Sequence, residues 1–446
     1  MVDYKEIAGV LVEKAEKAGA DQSEVFYSSS KELTIEVRNG QVDTLKNSRQ
    51  HGIGIRVLVG NRLGYAYTTD LSSHALDTAL IQAMANAEKN TPDPYLGLPS
   101  PEQSYEQLEL YDEEIGRVPV EEKIDLAKSL ESAAKGFDPR VKITESCTYQ
   151  DAEYEISLVN SRGIKESYRG AYCGAFVYVV AEDAGDTQTG FGLQFCLKFK
   201  DLLPAQVGRD AGWKAVRMLG AKSIKTQKAP VVFDPYVASG FLGVLAPALS
   251  AESIQKGKSF FAGKLGSQVF SPLVTLIDDG AMEKGLLSAP FDGEGMKTGK
   301  TTLIDQGILT GYLHNTYTAN KDGVVSTGNA VRSSFKSTPE VGTTNFYIQQ
   351  GTTEKEKLLQ GIRRGLYITD VMGLHTANPI SGDFSLGAAG ILIENGELTT
   401  PVRGVAIAGN LLNVFKNIDG VANDLVFFIG RGSPSIRVAE MTISGI

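Results

Sequence analysis

Four histidines have the clearest potential for metal chemistry: His51, His74, His314 and His375. They are followed by Gly, Ala, Asn and Thr, so the sequence contains no His-Glu dipeptide. A zinc peptidase helix needs two imidazoles on nearly one face and a glutamate that takes a proton from the metal-bound water. That arrangement is absent. The histidines are therefore predicted to be structural, although two of them could still meet from separate loops.

Acidic residues offer a second kind of chemistry. Asp278, Asp279, Asp292, Glu294 and Asp383 could bind a hard cation or act as an acid and base pair. Most of them stand beside a glycine, however, and carboxylates in such places commonly form turns by accepting backbone hydrogen bonds. The sequence leaves both interpretations open.

The run from Asp292 to Thr301 resembles a phosphate-binding loop at first sight. The motif needs a glycine five positions before Gly299, but that position is Glu294, whose carboxylate would repel a phosphate. The chain also lacks a Gly-x-Ser-x-Gly elbow and a Cys-x-x-Cys pair. A nucleotide site, a serine hydrolase site and a redox motif are therefore not predicted.

The stretch 378–396 combines several local signals. Asn378-Pro379 begins a turn, and 381–383 (Ser-Gly-Asp) keeps the chain in an open conformation. The small residues from Gly387 to Gly390 would allow another backbone or an extended ligand to approach closely. Asn395-Gly396 then predicts a β-hairpin. The stretch is a candidate for the floor of a groove.

Length and charge limit the class of protein. A chain of 446 residues favours two or three domains, and a boundary is predicted between 1–226 and 227–446. The net charge of −9 argues against a nucleic-acid partner, because binding to phosphates depends on Lys and Arg. No secretory signal and no membrane-spanning run is recognisable, and three cysteines suit a reducing cytoplasm.

Hydrophobic periodicity predicts an α+β protein. An N-terminal domain of antiparallel sheet flanked by helices is expected, followed by a mostly antiparallel β domain with few helices. The apolar residues recur at helical spacing in six segments, which are approximately 3–17, 72–87, 120–135, 205–219, 235–249 and 354–364.

The sequence also resembles the TldD/PmbA peptidase family, also called the modulator of DNA gyrase family, over essentially its whole length. The motifs that carry the resemblance are spread along both halves of the chain: 37–42 (VRNGQV), 51–57 (HGIGIRV), 69–72 (TDLS), 291–295 (FDGEG), 307–314 (GILTGYLH), 326–329 (STGN), the stretch 378–398 and 420–425 (GVANDL).

In this family, TldD carries a His-Glu-x-x-x-His helix and a late cysteine that hold zinc, whereas TldE or PmbA lacks the helix ligands and pairs with TldD. The complex cleaves small, unfolded or leader-bearing peptides in the bacterial cytosol. The resemblance places Leu242 to Pro247 at the ligand positions, where no residue can bind zinc, and no cysteine follows Cys196. It therefore implies a TldE/PmbA-type chain without catalytic or metal-binding residues and with zinc on the partner subunit.

Two glycine-rich segments become candidates for holding a peptide backbone by strand addition, unless they are simply tight turns. The candidate residues are Asn378, Ser381, Gly382, Asp383, Gly387, Asp292, Glu294 and Gly295. The first hypothesis is the non-metal subunit of a cytoplasmic zinc metallopeptidase that acts on unfolded peptides. The alternatives are a stand-alone homodimeric peptide-binding protein and a hydrolase that uses the acidic residues with another metal.

Overall fold

The protein, a computed structural model, is described over residues 4–102 and 104–445. It is an α+β protein with 24% helix and 41% strand, as the sequence predicts. Within these two ranges, no helix has the length and apolar character that crossing a bilayer requires.

The N-terminal half is built on one antiparallel sheet of six strands in the order β3-β2-β1-β4-β5-β6. The strands are β1 (Gln22–Arg38), β2 (Gln41–Val59), β3 (Arg62–Thr68), β4 (Val141–Asn160), β5 (Lys165–Asp183) and β6 (Asp186–Cys196). Most of them are long, so the sheet offers an extended surface for packing.

Five helices accompany this sheet: α1 (Tyr4–Lys17), α2 (Ser73–Lys89), α3 (Glu113–Arg117), α4 (Val120–Lys135) and α5 (Pro204–Val216). The apolar faces of α1 and α2 pack on β1 and β2, whereas α4 and α5 pack on β4 and β5. Ser72 caps the start of α2, because its side chain accepts a hydrogen bond from the Ala75 N–H.

The C-terminal half begins at Gln227 and is mainly strand. Its strands are β7 (Gln227–Phe233), β8 (Leu276–Asp279), β9 (Lys300–Asp305), β10 (Ile308–Leu309), β11 (Ala330–Val331), β12 (Glu340–Val341), β13 (Asn345–Ile348), β14 (Arg364–Met372), β15 (Asp383–Glu394), β16 (Glu397–Asn410), β17 (Ile418–Val421), β18 (Val426–Phe428), β19 (Arg431–Ser433) and β20 (Ile436–Ser444).

Two six-stranded sheets organise these strands, in the orders β10-β9-β8-β13-β19-β18 and β16-β15-β14-β7-β20-β17. In the second sheet β16 also pairs with β20, so β16, β15, β14, β7 and β20 form a closed ring. Only the pairs β13–β19 and β14–β7 are parallel among the named strands of this half. The expectation of a mostly antiparallel arrangement is confirmed.

The helices of this half are α6 (Pro235–Ala248), α7 (Ala251–Gln255), α8 (Thr316–Asp322), α9 (Lys355–Leu359) and α10 (Leu411–Lys416). Short 3₁₀ turns cover Phe199–Asp201 and Leu374–Thr376. The longest of the five, α6, contributes Phe241, Leu242 and Leu245 to the main hydrophobic core, where all three are at most 1% exposed.

Two local predictions around β14 and β15 have different outcomes. The hairpin at Asn395-Gly396 is confirmed, since both residues adopt positive φ between β15 and β16. The helix predicted over 354–364 is wrong in its extent, because α9 ends at Leu359. Gly361 takes a φ of +81°, which interrupts the helix, and β14 starts at Arg364.

Candidate functional site

Helix α6 starts because the Asp234 side chain accepts the Tyr236 N–H and Pro235 occupies its first turn. One face of the helix is buried in the core. Gly243, Ala246 and Pro247 lie on another face, which lines a cleft of about 450 Å³. These residues belong to the segment that the family resemblance places at the zinc-ligand positions.

The cleft has three further walls. They are the segment 341–344, the side chain of Leu287, and the hairpin 428–431 that joins β18 to β19. Leu287 is 45% exposed and packs against Gly430, where an added Cβ would overlap its Cδ1. An open, largely apolar cleft that includes backbone and a few polar groups is typical of a ligand-binding site.

The hairpin residue Ile429 has an unusual backbone conformation. Its φ is +60°, which is rare for a β-branched side chain, and 48% of the residue is exposed. Strained backbone of this kind persists where the surrounding structure enforces it, and it is concentrated at functional sites. The turn holds the Ile429 side chain at the edge of the cleft.

Arg431 follows two residues later and reaches α6. Its guanidinium lies against Gly243, so that a Cβ added at Gly243 would overlap the Arg431 Nη1. Over residues 4–102 and 104–445, the Arg431 side chain makes no hydrogen bond or ion pair. No described Asp or Glu lines this cavity of about 450 Å³. The cleft therefore contains an exposed, unpaired positive charge.

The backbone N–H and C=O of Thr343 are also unpaired. Its neighbour Gly342 donates to the Asn329 carbonyl, and Val341 belongs to β12, which pairs with β11. Neither the N–H nor the C=O of Thr343 is hydrogen-bonded within the described part of the chain. The Thr343 N–H can therefore donate, and the Thr343 C=O can accept, a backbone hydrogen bond at the cleft wall.

Two smaller cavities continue the cleft. One, of about 260 Å³, shares Leu287, Thr343 and Thr344 with it and extends to Tyr168 on β5 and to Asp292. The other, of about 290 Å³, shares 428–429 and reaches 193–195 on β6. The cleft thus runs from α6 to the edge of the N-terminal sheet.

Asp292 is buried, and its carboxylate accepts the N–H groups of Glu294, Met296 and Ala330. Burial, together with the charge of Glu294, raises the pKa of Asp292 to about 7. The Asp292 oxygens therefore hold the backbone of residues 294–296 and of Ala330 in place. Gly295, with a φ of +83°, forms the same turn.

Glu294 connects the two halves of the protein. Its carboxylate accepts hydrogen bonds from Arg56 Nη1 on β2, at 2.9 Å, and from the Thr316 N–H at the start of α8. Arg56 also pairs with Glu24, which in turn pairs with Arg332. All four charged side chains are at most 9% exposed. These contacts hold Glu294 at the junction of the two halves.

The residues 378–383 form a loop that is held by its own side chains and by Asn410. Asn378 Oδ1 accepts the N–H groups of Ile380 and Ser381, and Asn410 Nδ2 donates to Asp383 Oδ1. Gly382 has a φ of +82°. Hydrogen bonds from Asn410 and Ser381 lower the pKa of Asp383. The loop does not line the cleft and makes no described contact with 292–295, so the structure does not bring the two candidate segments together.

Strand addition at Gly387 to Gly390 is contradicted by the pairing of β15. Gly387 is paired with Met372 of β14 on one side and with Ala406 of β16 on the other. The close approach predicted at Gly390 is real, but the approaching backbone is that of Tyr367 on β14. The small residues fit this packing and leave no free edge.

The histidines are dispersed. His51, His74 and His375 are exposed, whereas His314 is buried, and burial lowers the pKa of His314.

Asp278 is buried beneath Thr344, and burial raises the pKa of Asp278 to about 6. Throughout residues 4–102 and 104–445, no three His, Cys, Asp or Glu side chains are grouped as a metal site would need.

Sequence reasoning did not identify Leu287, Thr343, Ile429 or Arg431. They come from three separate segments, and none belongs to a periodic pattern that points to a site. Gly243 carried a signal, because a glycine inside an apolar helix often marks a close approach of another group. That signal identifies the helix position without identifying Arg431 as the neighbour.

Three models of one family match the chain in order. They are described as PmbA/TldA metallopeptidase domain 1, central domain and C-terminal domain, and they match residues 23–87, 113–219 and 226–445.

The relatives include metalloprotease PmbA from Escherichia coli O157:H7, which is 32% identical over 96% of this chain and 93% of its own length. A PmbA homolog from Haemophilus influenzae is 30% identical over 99% of this chain and 96% of its own length. A TldD homolog from the same organism is 26% identical over 95% of this chain and 93% of its own length. A crystal structure from Thermotoga maritima, assigned as a modulator of DNA gyrase, is 29% identical with a TM-score of 0.92, covering 99% of this chain and 100% of that one.

Proposed function

Because the chain belongs to the PmbA/TldD metallopeptidase family, we propose that it is the TldE/PmbA-type subunit of a zinc peptidase, which binds peptide without holding zinc. The choice of the PmbA side rests on the residues of α6 and not on overall identity, because relatives named PmbA are between 26% and 32% identical and the TldD homolog is 26% identical. Zinc and the catalytic residues would belong to a TldD-like partner.

The observation that carries this proposal is the chemistry of α6 at the cleft. Gly243, Ala246 and Pro247 offer no imidazole, carboxylate or thiolate, although such groups are the usual ligands of zinc. The space beside Gly243 contains the Arg431 guanidinium, whose positive charge would repel a metal cation. The residues present therefore do not fit zinc.

The same cleft suits an extended peptide. Thr343 presents an unpaired N–H and C=O, which can pair with a peptide backbone as a neighbouring strand would. Leu287 and Ile429 present apolar side chains to the same cavity. Unfolded peptides expose both kinds of group, and they are the proposed substrate of the complex. All three cysteines are free thiols, which supports a cytoplasmic setting.

The test is reconstitution with the relative from the same genome that carries His-Glu-x-x-x-His. We expect this chain alone to retain no stoichiometric zinc after loading and desalting, and to leave an unfolded protein substrate intact. The two chains together should co-purify and cleave it. Leu287→Asp in this chain should reduce cleavage by the mixture, whereas Leu398→Asp, on the exposed hairpin after β15, should not.

Three results would contradict the proposal. They are stoichiometric zinc on this chain, cleavage by this chain alone, and failure of the two chains to associate. Peptide binding by a homodimer that gains no activity from the relative would favour a stand-alone peptide-binding protein instead.

A further inference from the structure

We propose that Arg431 forms a carboxylate-binding subsite in the cleft, so that the protein prefers peptides with a carboxylate at this point of the groove. This inference deepens the proposed function and rests on it. The carboxylate can be the free C-terminus of a peptide or the side chain of Asp or Glu, since the two present the same pair of oxygens.

The first argument is the state of the arginine. Exposed arginines often pair with a nearby acid, as Arg403 does with Asp186 at 2.8 Å. Arg431 has no such partner in residues 4–102 and 104–445, and the described lining of the 450 Å³ cavity that contains Arg431 has no Asp or Glu. A guanidinium without an internal partner retains all its donors for a ligand, and two of them can bind one carboxylate in parallel.

The second argument is the position of the guanidinium. The absence of a side chain at Gly243 allows Nη1 to lie directly on the helix surface. Its aliphatic stem leaves β19 next to the strained turn at Ile429. The charge is thus held against α6 in the cavity that Leu287 and Ile429 also line, where it is exposed to an incoming ligand.

The third argument is the geometry of the groove. Thr343 and Arg431 line the same cavity, so a peptide that pairs with Thr343 has a neighbouring group within the same space as the guanidinium. Backbone pairing supplies affinity for any extended peptide, whereas the guanidinium distinguishes between peptides. Substitutions should therefore separate the affinity for extended peptides in general from the preference for peptides with a carboxylate.

The experiment measures binding of short fluorescent peptides to the purified full chain. The matched set has one apolar body and four versions: a C-terminal amide, a free C-terminal acid, an amide with one internal Glu, and an amide with Gln in its place. We expect the free acid, or the Glu peptide, to bind about tenfold more tightly than its neutral counterpart. Which of the two is preferred identifies the source of the carboxylate.

Two variants separate the charge from its position. Arg431→Gln should abolish the preference and leave the affinity for the amide peptide within about twofold, because the backbone and apolar contacts remain. Gly243→Ala keeps the net charge but displaces the guanidinium, and it should weaken the same preference. Arg363→Gln is the matched control, since Arg363 is exposed, lies outside the cleft and has no described side-chain partner.

The outcomes are distinguishable. Equal binding of charged and neutral peptides by the unmodified chain, or a preference that survives in Arg431→Gln, overturns the carboxylate subsite while peptide binding stands. Failure of every peptide to bind overturns both the peptide-binding function and the inference that rests on it. Thermal unfolding of each variant checks the fold, and unchanged midpoints are expected for Arg431→Gln and Arg363→Gln because both arginine side chains are exposed.

Discussion

Arg56 Nη1 donates a 2.9 Å hydrogen bond to Glu294 Oε1, which joins the N-terminal sheet to the turn that precedes β9. The other end of the Arg56 guanidinium donates to Glu24 at 2.7 Å. Both pairs are removed from water. This buried network is one of the contacts that fix the relative position of the two halves, and with it the shape of the smaller cavity that extends from the cleft to Tyr168 and Asp292.

Arg56→Met should lower the free energy of unfolding by about 3 kcal/mol or more, because it leaves the buried Glu294 carboxylate without its charged partner. Urea unfolding followed by circular dichroism measures the change. Lys14→Met is the control, since Lys14 and Asp77 form a pair that is 41% and 44% exposed, and its loss should cost less than about 1 kcal/mol. Equal losses in both variants would contradict a structural role for the buried network.

Asp292 should make the protein less stable as the pH rises. Its pKa is about 7 in the folded protein and about 3.9 in an unfolded chain, so the unfolded state loses its proton first. The free energy of unfolding should therefore fall by on the order of 3 kcal/mol between about pH 4 and about pH 7 because of this group.

Comparison with Asp292→Asn isolates that contribution from Asp278, whose raised pKa acts in the same direction. The variant should be less stable at low pH, because the amide nitrogen cannot accept the Ala330 N–H. Its stability should nevertheless depend less steeply on pH. Parallel curves for the two proteins between pH 4 and pH 7 would show that the Asp292 carboxyl does not titrate there.

The sequence anticipates the features that depend on near neighbours in the chain. The turn at Asn395-Gly396 is an example, because the dihedral angles of two adjacent residues decide it. The extent of the helix at 354–364 was mispredicted because Gly361 adopts positive φ within an apparently helical pattern.

The cleft depends on contacts between distant residues. Arg431 meets Gly243 across nearly two hundred positions of sequence, and Thr343 lines the same cavity from a third segment. No local periodicity specifies such a meeting. The glycine-rich stretch instead predicts a close approach at Gly387 to Gly390, where neighbouring strands of the same sheet make that approach.

The two neighbouring cysteines should differ in reactivity. Cys173 and Cys196 lie opposite each other on β5 and β6, with their sulfur atoms 3.6 Å apart. The hydrogen bond from Cys173 lowers the pKa of the Cys196 thiol, whereas the same contact and burial raise that of Cys173. Burial raises the pKa of Cys147 to about 12.

Iodoacetamide at pH 8 should therefore modify Cys196 first, because the thiolate is the reactive form and Cys196 is the only one of the three that is not fully buried. Peptide mapping by mass spectrometry over time measures the order. Cys173→Ala removes the hydrogen bond and should slow the modification of Cys196. Faster modification of Cys147 in the folded protein would contradict the assignment.

Ile429→Gly should stabilise the fold and weaken peptide binding together. Glycine adopts the φ of +60° without the strain that a β-branched side chain suffers, so the free energy of unfolding should rise by about 1 kcal/mol. The substitution also removes an apolar wall of the cleft, and affinity for the amide peptide should fall severalfold.

Ala184→Gly is the matched control. Ala184 has a φ of 48° in the turn between β5 and β6 and does not line the cleft, so only stability should change. An Ile429→Gly protein that is more stable and binds peptide as well as before would show that the strain at this turn has no part in binding.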